Sequence, residues 1–273
     1  VARLLFITAP FYLGAFVVFL LGLKGKRKEY LIWAERALYS GFFLQVFVFF
    51  LLLFGGKILI LFDPKKTSWN LSLILVGLYL FLKGKLKLKG FGGIIGLFAF
   101  ILTVLASFPG SLDIKQLALH PVWSFVHVLL CFIGIGGFSL AFSAGLIYLL
   151  EEGKIKNKKL GSSKLLPSLD ALDRLNQYGL FIGFFSFTPG IILGGLWALL
   201  VLKALPLEEP KVLFSVLSWF YYGLLMWGRL SGWRGKRVAR LSVIGFAILM
   251  VSYFGVNFLV GGHPSHLIQT RLR

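Results

Sequence analysis

VWSFVHVLLCFIGIGGFSLAFSAGLIYLL, Val122 to Leu150, runs for twenty-nine residues without an Asp, Glu, Lys or Arg, and His127 is its only imidazole. At 1.5 Å of rise per residue it extends about 43 Å as a helix, beyond the ~30 Å thickness of a bilayer's hydrocarbon core. It therefore reads as a membrane span that tilts or projects past that core. Working outward, similar runs occupy residues 4–23, 34–54, 69–82, 91–108, 178–201, 212–227 and 241–260. Most reach the roughly 20 residues that a spanning helix needs. The runs at 69–82 and 212–227 are short and must draw on flanking residues or thin the bilayer.

Composition agrees. The chain has 273 residues, 58% hydrophobic and 14% charged, with 29 Phe and a mean hydropathy of +0.87. A soluble domain needs more polar surface than this to cover its core. The net charge of +19 would point to nucleic acid in a soluble protein. Here the cations sit in the gaps between apolar runs, where they act on topology and on anionic lipid, so nucleic-acid binding is excluded.

The gaps alternate. Dense basic segments follow the first, third, fifth and seventh runs: Lys24 to Lys28, Lys83 to Lys89, Lys154 to Arg174, and Arg229 to Arg240. The intervening segments carry only Lys57, Lys65 and Lys66, then Lys115, then Lys203 and Lys211. This positive-inside pattern predicts an all-helical integral membrane protein, a bundle of about eight transmembrane helices with both termini on the non-cytoplasmic side. One polytopic domain, residues 1–273, divides into four N-terminal helices over 1–108 and a four-helix core over 122–266. The first run lacks a basic n-region and a cleavage site, so it reads as a retained helix. Leu169 to Leu175 reads as a short amphipathic helix at the cytoplasmic surface or as a solvated lead-in to the sixth span.

The four histidines, His120, His127, His263 and His266, all fall at or near the outer face of this topology. For His120 and His266 contact with water or headgroups is a sufficient role. His127 differs, because it lies about two turns inside an apolar helix, where an imidazole is costly unless paired. Three roles fit it: axial ligation of haem iron, proton relay, or a hydrated polar pair. In the first, His263 is a second axial ligand, and aromatic side chains of the outer helix halves, Trp123 among them, wall the pocket.

Other residues carry less chemistry. Cys131 is the sole cysteine, so no intrachain disulfide or cysteine metal site forms. It shares a helix face with His127. Thr188-Pro189-Gly190 interrupts the sixth span with a kink, and Gly190 with Gly194 forms a small-residue surface. Glu208 and Glu209 read as solvated charges. No Ser-His-Asp arrangement or phosphate loop appears, and no catalytic residue is assigned.

Trp123-Ser-Phe-Val-His127-Val, followed by Gly136-Gly137-Phe138, resembles the His-bearing helix of the cytochrome c assembly family, which includes CcsA, CcmC and HemX-type membrane proteins. Leu172-Asp173-Arg174-Leu175, Gly190-Ile-Ile-Leu-Gly194-Gly195-Leu-Trp197, Gly232-Trp233-Arg234-Gly235-Lys236-Arg237 and Tyr253-Phe254-Gly255-Val-Asn257 resemble its later blocks. The resemblance implies a haem-handling protein that binds, exports or delivers haem at the outer face in cytochrome c maturation or haem homeostasis, with His127 and His263 matching the two external haem ligands and His120 and His266 in reserve. It also implies location in the cell (inner) membrane and partnership with other cytochrome c maturation subunits or apocytochrome. Two features depart from the family. The outer segment from Lys203 to Lys211 has no Trp, Asp or Gly, where family members carry a tryptophan-rich loop. The inner haem positions hold Gln45 and Met226-Trp227 in place of histidines. These departures turn the resemblance toward HemX-type or divergent members, leaving two alternative functions: a membrane regulator of a tetrapyrrole-synthesis enzyme, or a subunit of a larger maturation or respiratory complex.

Overall fold

The computed structural model describes residues 2–56, 67–86, 88, 90–107, 121–156, 165–203 and 210–250. His120, His263 and His266 lie outside these residues, as does the segment after Met250. Among the described residues every regular element is helical: α1 (Ala2–Phe6), α2 (Ala9–Gly25), α3 (Lys28–Phe54), α4 (Thr67–Leu86), α5 (Gly92–Ser107), α6 (Pro121–Lys156), α7 (Leu169–Leu202), α8 (Pro210–Leu230) and α9 (Lys236–Met250).

Among the described residues, five stretches are long and apolar enough to cross a bilayer: Leu4–Gly25, Lys28–Phe54, Thr67–Leu86, Phe125–Lys156 and Leu169–Leu200. Gly92–Ala106 is a shorter apolar helix. The chain is thus a multi-pass membrane protein. The short third run does extend into its flanks, becoming the 20 residues of α4. The sixth run starts earlier than its apolar residues do. Ser168 caps α7 by accepting a hydrogen bond from the Ala171 N–H at 3.2 Å, so the amphipathic stretch and the span form one continuous helix.

Helices α2 to α5 pack as one group and α6 to α9 as another, with α4 laid against α6 between them. One hydrophobic core is shared by both groups. Aromatic rings carry it across the junction: Phe98 of α5 meets Phe142 of α6 edge-on at 5.3 Å, and Phe142 stacks on Phe246 of α9 at 4.7 Å. Within the second group Phe138 stacks on Tyr222 at 3.5 Å. The outward faces stay apolar, with Phe43, Phe54 and Leu200 all exposed. Helices that are apolar all round suit a lipid surround.

The most extensive pairing is between α6 and α7, and glycine explains it. A Cβ on Gly137 would lie 2.5 Å from the Gly183 nitrogen, and one on Gly179 would lie 2.7 Å from the Gly137 oxygen. The two backbones therefore touch directly, which is the geometry that small residues permit inside membranes.

Every ion pair among the described residues lies at one end of the bundle. Lys83 of α4 meets Glu35 of α3, Lys236 of α9 meets Glu152 of α6, and Arg229 of α8 meets Asp173 of α7. The Arg229 side chain is only 2% exposed. It donates to both Asp173 carboxylate oxygens, at 2.9 and 2.6 Å, and to Gln177 Oε1 and the Trp233 carbonyl. The Gly235 N–H closes the cluster on Asp173 at 2.9 Å. These are the chain segments that the sequence marks as basic, and His127 lies towards the opposite end.

Candidate functional site

His127 occupies the second turn of α6, where the helix runs antiparallel to α7. The register continues from the glycine contact: Gly134 lies against Phe187, Cys131 against Gly190, and His127 against Gly194. His127 is half-buried, and its Nδ1 lies 2.7 Å from the Gly190 carbonyl oxygen. A carbonyl can only accept, so Nδ1 carries the proton and donates it. In the neutral ring the lone pair then belongs to Nε2.

The imidazole fits because α7 offers no side chain opposite it. A Cβ on Gly194 would fall 2.6 Å from Cε1 and 2.9 Å from Nδ1 of His127. Pro189 precedes the accepting carbonyl, and a proline inside a helix lacks the N–H that would bond four residues back. Beside it the Thr188 hydroxyl donates to the Phe184 carbonyl at 2.7 Å and accepts the Trp219 indole N–H at 3.0 Å. The turn of α7 beside Pro189 is thereby tied to α8.

Two more side chains belong to this seam. Cys131 Sγ stands 3.8 Å from Nδ1, on the nitrogen already engaged by Gly190, and not on Nε2. Trp197 follows Gly190 and Gly194 at helical spacing on the same face of α7. Its Nε1 is buried and meets no hydrogen-bond partner among the described residues. Trp123, one turn before His127, is 47% exposed.

Of the residues expected at the site, His127 and Trp123 lie on one helix within a turn of each other, and the other three histidines fall outside the described residues. Sequence reading singled out Gly190 and Gly194 as a packing surface and His127 as a ligand, without joining them. Only the register between α6 and α7 brings them together, and Trp197 with them. An imidazole whose Nδ1 is held by a backbone carbonyl and whose Nε2 keeps its lone pair has the chemistry to hold haem iron.

The other two positions singled out by the resemblance, Gln45 and Met226-Trp227, are built differently. Gln45 is fully buried. Tyr12 donates to its carbonyl oxygen, while its Nε2 donates to the Trp69 carbonyl at 2.9 Å and to Ser72 Oγ at 2.7 Å. Met226 is buried and Trp227 faces outward. No group of three or more His, Cys, Asp or Glu suited to a metal ion occurs among the described residues.

Comparison with known proteins follows the same outline. A family model described as "Cytochrome C assembly protein" matches residues 42–263. A "Cytochrome c biogenesis protein CcsA" of Prochlorococcus marinus is 33% identical over 48% of this chain and 39% of its own length. That of Gloeobacter violaceus is 35% identical over 36% of this chain and 29% of its own. That of Trieres chinensis is 26% identical over 72% of this chain and 74% of its own. The first of these alignments spans about two fifths of the relative's length. With a helical bundle, a His127 seam and a family match that runs through most of its length, the chain belongs to the cytochrome c assembly protein family.

Proposed function

We propose that the protein binds haem at the outer end of the bundle and hands it on in cytochrome c biogenesis. The observation that carries this is the hydrogen bond from His127 Nδ1 to Gly190, which leaves Nε2 as the coordinating atom. His263 supplies the second axial ligand, Trp123 contributes a wall, and His120 and His266 stand in reserve. The unpartnered Trp197 N–H gives an acceptor on the bound group a donor to meet.

In this reading about eight spans cross the cell (inner) membrane with both termini outside, and the ion-paired end faces the cytoplasm. The short outer segment from Lys203 to Lys211 leaves contact with apocytochrome to another maturation subunit. Because the relatives compared are named as cytochrome c biogenesis proteins, haem handling is favoured over regulation of tetrapyrrole synthesis.

The test is spectroscopic. Purified protein should show a low-spin bis-histidine haem spectrum, and His127→Ala and His263→Ala should each abolish it. Wild-type protein that takes up no haem even after reconstitution rules the proposal out.

A further inference from the structure

Between α8 and α9, at the ion-paired end, lies a groove of ≈ 730 Å³. That volume is within the range of small-molecule sites. Its walls are apolar: Leu224 and Trp227 on α8, Leu241 and Ile244 on α9. Trp227 is 65% exposed and Ile244 51%, so the groove opens sideways, toward lipid. Tyr221, also in the lining, donates its hydroxyl proton to the Leu241 carbonyl at 2.8 Å.

Three cations, Lys236, Arg237 and Arg240, also line the groove. Lys236 is already paired with Glu152 at 2.9 Å. Arg237 and Arg240 are exposed, lie at i and i+3 on α9, and pair with no carboxylate among the described residues. Arg237 is held in place, its guanidinium 3.4 Å from the centroid of the Trp233 ring. A fixed guanidinium and its neighbour above an apolar slot complement a ligand with an anionic head and a hydrocarbon body. An arginine on a free loop would not offer that geometry, because it would have to be ordered first.

We infer that this groove is a binding site for one anionic phospholipid, its phosphate on Arg237 and Arg240 and its acyl chains between α8 and α9. The inference uses neither His127 nor haem, so it stands or falls apart from the proposed function.

The full chain, purified and delipidated, is incubated with phosphatidylglycerol or with phosphatidylcholine of the same acyl chains and examined by native mass spectrometry. One phosphatidylglycerol should be retained in preference to phosphatidylcholine. The double variant Arg237→Gln/Arg240→Gln should lower its retention by about tenfold or more. Lys24→Gln/Lys26→Gln, in a different basic segment, should leave retention unchanged. If the glutamine pair does not fold, Ile244→Phe fills the groove while keeping both arginines, and it must also release the lipid. Equal retention of both lipids, or an equal loss in the Lys24 and Lys26 variant, overturns the site in favour of diffuse charge. Displacement of the phosphatidylglycerol by haemin, one for one, overturns it in favour of a porphyrin dicarboxylate.

Discussion

His127 donates its Nδ1 proton to the Gly190 carbonyl at 2.7 Å, across a helix pair that brings a backbone acceptor to an imidazole sixty-three residues away. No side-chain substitution removes that acceptor. The bond is therefore open to perturbation only through the space around it.

Gly194 controls that space. Gly194→Val would place atoms where the His127 ring now lies, since even a Cβ falls 2.6 Å from Cε1. Haem affinity should drop roughly 10- to 100-fold, as it does when partners behind a metal ligand are disturbed. Haem titration checks this, and unchanged helical circular dichroism separates the effect from unfolding. Gly84→Val on α4, where a Cβ meets nothing within 4 Å, is the control.

Cys131→Ser should leave the haem spectrum as it is. The thiol lies 3.8 Å from Nδ1, the nitrogen that faces Gly190, and so does not compete for the iron. A change in spin state or Soret position in this variant would show that sulfur takes part.

Gln45→Leu should destabilise the protein by about 1–3 kcal/mol without altering haem binding. The substitution strips partners from the buried Tyr12 hydroxyl and the Trp69 carbonyl. Thermal unfolding in detergent measures the first effect and haem titration the second. If Gln45 were part of a haem site, the order of the two effects would reverse.

Asp173→Ala should cost about 3 kcal/mol, because it leaves the buried Arg229 guanidinium without its carboxylate. Asp173→Ala combined with Arg229→Leu should recover part of the loss. The same melts in detergent decide it, and equal damage in the single and double variants would show that the charge pair is not the source.

Much of this architecture is readable from residue type alone. A run such as 122–150 has one physical solution in a bilayer, since only a helix satisfies its backbone there. The alternation of Lys and Arg between runs matches the gathering of ion pairs at one end. What could not be read was the meeting of elements. Asp173 and Arg229 are fifty-six residues apart, and nothing in either segment names the other. Helix α7 begins at Leu169, well before the apolar run at 178–201, where the Ser168 cap and the Asp170–Arg174 pair support its first turns. At the site, polarity inside an apolar run exposed His127, whereas Gly190 acts through a carbonyl that every residue possesses. Trp197 was hidden for the converse reason: aromatic residues are so common in this chain that one unpartnered indole does not stand out.

The bare backbone contact at Gly137, Gly179 and Gly183 bears on movement. The backbones of α6 and α7 meet directly there, with the Phe138 ring packed beside Gly183, so the spacing of the two helices is set at that point. His127 lies ten residues from that contact, about 15 Å along the helix, so a change of about four degrees in the angle between the helices would carry the imidazole roughly 1 Å from its carbonyl. The 2.7 Å bond of His127 is thus sensitive to the angle between two helices whose spacing is fixed ten residues away.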